Sequence, residues 1–164
     1  MGMALITGKE SPDEIIAISY GMENGLKIFY ERIKEGVEDP EIKELVSKLA
    51  GIEQEHKEKL FHIYLNINHE AGNLRQFEED IVSDVMEGGF TVNEFIEKSR
   101  ETMKDTEGVL AVAMMLEAQA LDLYLRYSRE IDDQAAKEVL YQISQEEKAH
   151  LEALGIMMGK FFGK

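Results

Sequence analysis

The chain has 164 residues and a formal net charge of −15 with no dense run of Lys or Arg, a balance that repels phosphate backbones and anionic lipid headgroups and implies neither nucleic acid nor a membrane as partner. It contains no cysteine, which excludes disulfides, thiolate zinc sites, iron–sulfur clusters and thiol nucleophiles, so a bound metal must take oxygen and imidazole ligands. The length fits a single domain over 1–164 that buries its own core, and a composition with 2 prolines, no tryptophan and 9 methionines is one that long helices tolerate.

Residues 1–10 carry only the short apolar patch Ala4 to Ile6, with no basic stretch before it, and no uninterrupted apolar run approaches the ~18 residues of a membrane span, so a cytoplasmic protein is expected. Ser11-Pro12-Asp13-Glu14 combines a capping box with proline at the first helical position and starts a first helix over about 11–36. Its apolar positions Ile16, Tyr20, Leu26, Tyr30 and Ile33 recur at helical spacing. Asp39-Pro40 starts a second helix over about 40–68, through Ile42, Leu45, Leu49, Ile52, Leu60 and Ile63.

From about 70 to 105 the pattern weakens around Gly72 and Gly88-Gly89, and a second capping box spans Thr91 to Glu94, which predicts a crossover holding two short helices. A third long helix over about 106–130 carries Leu110, Ala113, Leu116, Ala120 and Tyr124 on one side. A fourth over about 133–158 runs through Leu140, Ile143 and Leu154. Two helices joined by a short turn, a long crossover, and two more joined by a short turn predict an all-α bundle with one crossover connection.

The two halves match at an offset of 94: Glu23 with Glu117, Glu53 with Glu147, and His56 with His150. Tyr30 and Tyr124, Arg32 and Arg126, and Asp39 and Asp133 follow the same offset, so gene duplication is the simplest explanation. Residues three apart on a helix sit nearly above one another, which lets Glu53 with His56, and Glu147 with His150, bind one ion together. These polar residues fall within apolar stripes: Glu23 continues Ile16, Tyr20, Leu26 and Tyr30, and Glu53 with His56 lies among Leu49, Ile52 and Leu60. Four carboxylates facing one core repel, by about 4 kcal/mol for each pair ~4 Å apart at an effective dielectric of ~20, so something positive must sit between them.

Two divalent ions against four carboxylates and two neutral imidazoles give an uncharged set. A single structural zinc favours sulfur or several histidines, and calcium and magnesium rarely accept histidine. Mixed carboxylate and imidazole ligation suits iron or manganese, whether two iron ions, manganese or a mixed pair, and availability rather than affinity decides which.

One Glu on each of two helices and Glu-x-x-His on each of the other two is the di-iron signature of ferritin-like four-helix bundles. With Glu23-(x6)-Tyr30, Glu53-x-x-His56, Glu117-(x6)-Tyr124 and Glu147-x-x-His150, the chain resembles the rubrerythrin family over about residues 11–158. The resemblance implies a di-iron oxidoreductase reducing peroxide, with Glu23 and Glu117 as terminal ligands, Glu53 and Glu147 bridging, and His56 and His150 completing one iron each. The same six residues would carry the catalysis. Rubrerythrins also carry a further glutamate one turn after the third-helix ligand, where this chain has Ala120, and an appended rubredoxin domain, for which it has no cysteines. Electrons would then come from a separate donor such as a rubredoxin-like protein. The symmetric ligand set also resembles bacterioferritin-type centres, although the long crossover and the lack of a clear fifth helix after Gly159 argue against a storage cage.

Tyr30 and Tyr124 lie two turns beyond Glu23 and Glu117 on the same faces and either orient ligand carboxylates, donate electrons during turnover, or are plain core residues. Glu146 is expected on a solvated face rather than against His56, and His62 and His69 are expected to be structural or surface residues. Met114, Met115, Met157 and Met158 read as core filler. Three functions compete: peroxide or oxygen reduction with ferroxidase-type iron oxidation, iron storage or handling, and a metal-free helical interaction module. Apolar residues of the crossover, Phe77, Ile81, Val82, Phe90 and Phe95, suggest a surface that a homodimer would bury.

Overall fold

The computed structural model describes residues 9–68, 77 and 91–162, and within them the chain is all-α. Four long helices, α1 (Pro12–Gly36), α2 (Pro40–Ile67), α4 (Thr106–Glu130) and α5 (Gln134–Phe162), are accompanied by the short α3 (Val92–Ser99) and a 3-10 turn at Thr102–Lys104. The starts follow from side chains that satisfy orphaned backbone donors. Glu14 accepts from the Ser11 N–H at 2.8 Å, and Asp39 Oδ1 accepts from the N–H groups of Glu41 and Ile42 at 2.9 and 3.2 Å. Asp105 and Asp133 accept from the N–H groups of Gly108 and Ala136, each at 2.8 Å.

α1 and α2, joined across 37–39, pack along their lengths as one antiparallel hairpin, and α4 and α5, joined across 131–133, form another. The faces that meet between them are the stripes of the sequence: Ile16, Tyr20, Leu26 and Tyr30 from α1 and Leu110, Leu116, Ala120 and Tyr124 from α4 are all buried. α4 is the one described helix long and apolar enough to cross a bilayer by length and composition, and half of its most apolar window lies inside the protein.

α5 continues to Phe162, beyond the Met158 where its periodic pattern weakens, with Gly155 and Gly159 inside the helix. In the crossover, Thr91 and Glu94 close their capping box reciprocally, at 3.1 and 2.9 Å. Phe77 is buried against Tyr20, Phe61 and Tyr64, with ring centroids 4.8, 5.3 and 4.4 Å away. Phe95 of α3 meets Phe29 at 5.7 Å. Two of the apolar residues that suggested a homodimer surface are therefore spent on the chain's own core. Ile81, Val82 and Phe90 lie outside the described residues, as does His69, while His62 is exposed.

Candidate metal centre

One residue of α1 (Glu23), two of α2 (Glu53, His56), one of α4 (Glu117) and two of α5 (Glu147, His150) meet at the centre of the four long helices. All six are buried, five completely and His150 with 6 % exposure. They form two overlapping groups, Glu23–Glu53–His56–Glu147 and Glu53–Glu117–Glu147–His150, with the donor atoms of each group within 4.8 Å of one another. Glu53 and Glu147 belong to both.

The oxygens explain the overlap. Glu53 directs Oε2 to His56 Nδ1 at 3.1 Å and Oε1 towards His150 Nδ1 at 3.5 Å. Glu147 does the same with Oε1 at 2.9 Å from His56 Nδ1 and Oε2 at 3.5 Å from His150 Nδ1. Each of these carboxylates thus serves both halves of the cluster. Glu23 and Glu117 serve one half each, with Glu23 Oε2 at 3.3 Å from His56 Nδ1 and Glu117 Oε2 at 3.4 Å from His150 Nδ1. Their other oxygens are held by tyrosines: the Tyr124 hydroxyl donates to Glu23 Oε1 and the Tyr30 hydroxyl to Glu117 Oε1. The pairing crosses between hairpins, because Tyr30 is on α1 and Glu117 on α4, and each tyrosine ties one hairpin to the other. Both tyrosines are buried, and burial followed by the nearby carboxylates keeps their phenols protonated.

Buried carboxylates are tolerated when paired, hydrogen-bonded or bound to a cation. Here, no hydrogen bond of acceptable geometry reaches Glu53 Oε1, Glu117 Oε2, either oxygen of Glu147 or His150 Nδ1. Burial, then Glu23 and Glu147, pushes the Glu53 carboxyl well above the usual carboxylate range, and burial with Glu147 does the same for Glu117. Burial also penalises the charged form of Glu147, but the neighbouring Glu117, His150 and His56 groups outweigh it and hold that group below the usual range. Burial opposes the imidazolium of His150, yet Glu117, Glu147 and Glu53 push it up to about 12. His56 is raised in the same way, burial being outweighed first by Glu23. The metal-free core is thus compensated by protons, and a divalent cation, which carries more charge and accepts the orphaned lone pairs, fits the same donor set.

Glu146 corrects the sequence reading. It is not simply a solvated residue: its Oε2 lies 2.6 Å from His56 Nε2, and its Oε1 accepts from Lys59 Nζ at 2.8 Å. Lys59 and His56 lower its pKa against the opposing effect of partial burial. The carboxylate fixes the His56 ring with Nδ1 facing the cluster, an arrangement common among metal-bound histidines. Its position immediately before Glu147 was the available signal. Ala120 is buried at the turn after Glu117 and contributes no carboxylate. A surface cavity of about 380 Å³ lined by Arg32, Ile33, Asn93, Ile96 and Arg100 is built from none of the six cluster residues. Comparison with protein-family models, curated proteins and solved structures finds no match to this chain.

Proposed function

We propose that the chain is a ferritin-like four-helix bundle that holds two divalent metal ions, iron first among them, and acts in the cytoplasm as a rubrerythrin-like oxidoreductase on peroxide or oxygen. The observation that carries this reading is the pair of overlapping donor sets sharing Glu53 and Glu147. Glu53 and Glu147, with an oxygen for each half, would be shared by the two ions. Glu23 and Glu117, each with one oxygen taken by a tyrosine, are terminal. His56 and His150, whose Nδ1 atoms face these carboxylates, would each hold one ion.

Two ions offset the four carboxylate charges without protons. Two bound irons would supply the two electrons that, with two protons, convert one peroxide to two waters. The chain's own residues hold the constellation: Tyr30 and Tyr124 fix the terminal carboxylates, Glu146 fixes the His56 ring, and the surrounding core excludes bulk water. These 164 residues hold no cysteine for a rubredoxin centre, so the electrons would come from a donor outside them.

The test is anaerobic loading of the full chain with Fe²⁺ followed by peroxide titration under optical and Mössbauer detection. Two irons per chain and one peroxide consumed per iron pair are expected. Fewer than two irons, or a spectrum indifferent to peroxide, would overturn the reading. Aerobic uptake of many irons per chain would replace it with storage.

A further inference from the structure

The two metal positions are related by the internal repeat, but their surroundings are not. Glu146 holds His56 Nε2 at 2.6 Å, whereas the residue at the equivalent position 94 earlier is Ile52, whose side chain has no acceptor to offer His150. Lys59, which anchors Glu146 at 2.8 Å, has Ala153 as its equivalent. Lys57, whose equivalent is Leu151, bonds Asn24 at 2.6 Å and lies over the Tyr20 ring at 5.2 Å, so it is engaged in the α1–α2 seam.

We propose that Glu146 makes the His56 position the tighter of the two, so that the chain loads metal in order, the Glu23–His56 half first and the Glu117–His150 half second. Two effects act in the same direction. A carboxylate on the far ring nitrogen fixes the tautomer and rotamer of His56 before metal arrives, and it makes Nδ1 a stronger donor. It also places a fifth carboxylate beside the first half, where the repeat puts Ile52 beside the second. Glu146 is a positioning residue, since it reaches the ion only through the ring. The order gives the protein a stable one-metal form in which the second position exchanges with the medium, as suits a centre that must acquire iron from a low free concentration. The inference rests on the two-metal reading above.

The experiment is titration of the metal-free full chain with Co²⁺, followed by calorimetry and by visible absorption. The wild type is expected to bind in two resolved steps. His56→Ala should abolish the tight step and His150→Ala the weak one. Glu146→Ala should weaken the tight step about 10- to 100-fold and leave the weak step in place. Glu146→Gln, which keeps an acceptor for the Nε2–H, should lose less. Helix content by circular dichroism identifies a variant that has failed to fold. Two equal steps in the wild type, loss of the tight step in His150→Ala, or equal weakening of both steps in Glu146→Ala would overturn the order of loading while leaving the two-metal reading intact. Failure of the wild type to bind Co²⁺ would overturn both.

Discussion

Glu53 and Glu147 each place one oxygen in either half of the cluster, while Glu23 and Glu117 each give one oxygen to a tyrosine. This division has separable consequences. Glu53→Ala or Glu147→Ala removes a donor from both halves at once, and the set holds no spare carboxylate at the Ala120 turn, so metal analysis should find at most one ion per chain instead of two. Retention of two ions at unchanged affinity would refute the bridging assignment. Tyr30→Phe leaves Glu117 Oε1 buried without its donor, a loss of about 1–3 kcal/mol that thermal unfolding should register while both metals stay bound. An unchanged melting temperature would show that the hydroxyl contributes nothing. The six cluster residues and both tyrosines were legible because duplication wrote them twice at one spacing inside apolar stripes. Glu146 was marked only by standing immediately before Glu147, because its counterpart is Ile52 and its partner is 90 residues away, so the repeat does not single it out among 33 acidic residues.

At the level of elements, the helix starts were the most legible feature, since Asp39, Asp105 and Asp133 are short acceptors placed before periodic runs, and each caps backbone N–H groups. The end of α5 was less so. Glycine signals a stop only when the chain needs a left-handed residue, and Gly155 and Gly159 remain helical while Phe161 beyond them packs on the core. Gly108 shows the opposite dependence on tertiary context. In an exposed helix, Gly→Ala gains up to ~1 kcal/mol. A Cβ at Gly108 would lie 1.5 Å from the Thr102 carbonyl oxygen, because the first turn of α4 packs directly on the backbone of the 3-10 turn. Gly108→Ala should therefore destabilise by roughly 1–3 kcal/mol in denaturant unfolding, as overpacking against backbone does. A stabilised variant would mean that this junction yields freely.

For the whole molecule, the cluster couples folding to protons and, on the proposed reading, to metal. In the metal-free protein His150 holds its proton up to about 12 against an ordinary value of 6.5, His56 is raised likewise, and Glu53 and Glu117 are raised above 4.5. A raised group contributes stability that is complete below its unfolded value and is lost as pH climbs towards its folded value. Glu147 has the opposite sign, contributing above 4.5 and losing its contribution as pH falls. Between about pH 6 and 9 the native state thus binds more protons than the unfolded chain, and metal-free stability falls as pH rises, by at most about 1.4 kcal/mol per pH unit for each extra proton. Bound metal replaces those protons, so this slope should flatten in the loaded protein. Chelation should lower the melting temperature by many degrees, since a ligand a thousandfold above its dissociation constant stabilises by about 4 kcal/mol, and the gap between loaded and chelated protein should widen from pH 6 to pH 8. The displaced protons are directly measurable: calorimetric metal titrations in two buffers of different ionisation enthalpy should report net proton release on loading, because both imidazoles must shed a proton to present Nδ1 to a metal. A melting temperature indifferent to chelator at both pH values, with no proton release, would show that the buried charges are balanced by protons alone and that the cluster does not take up metal.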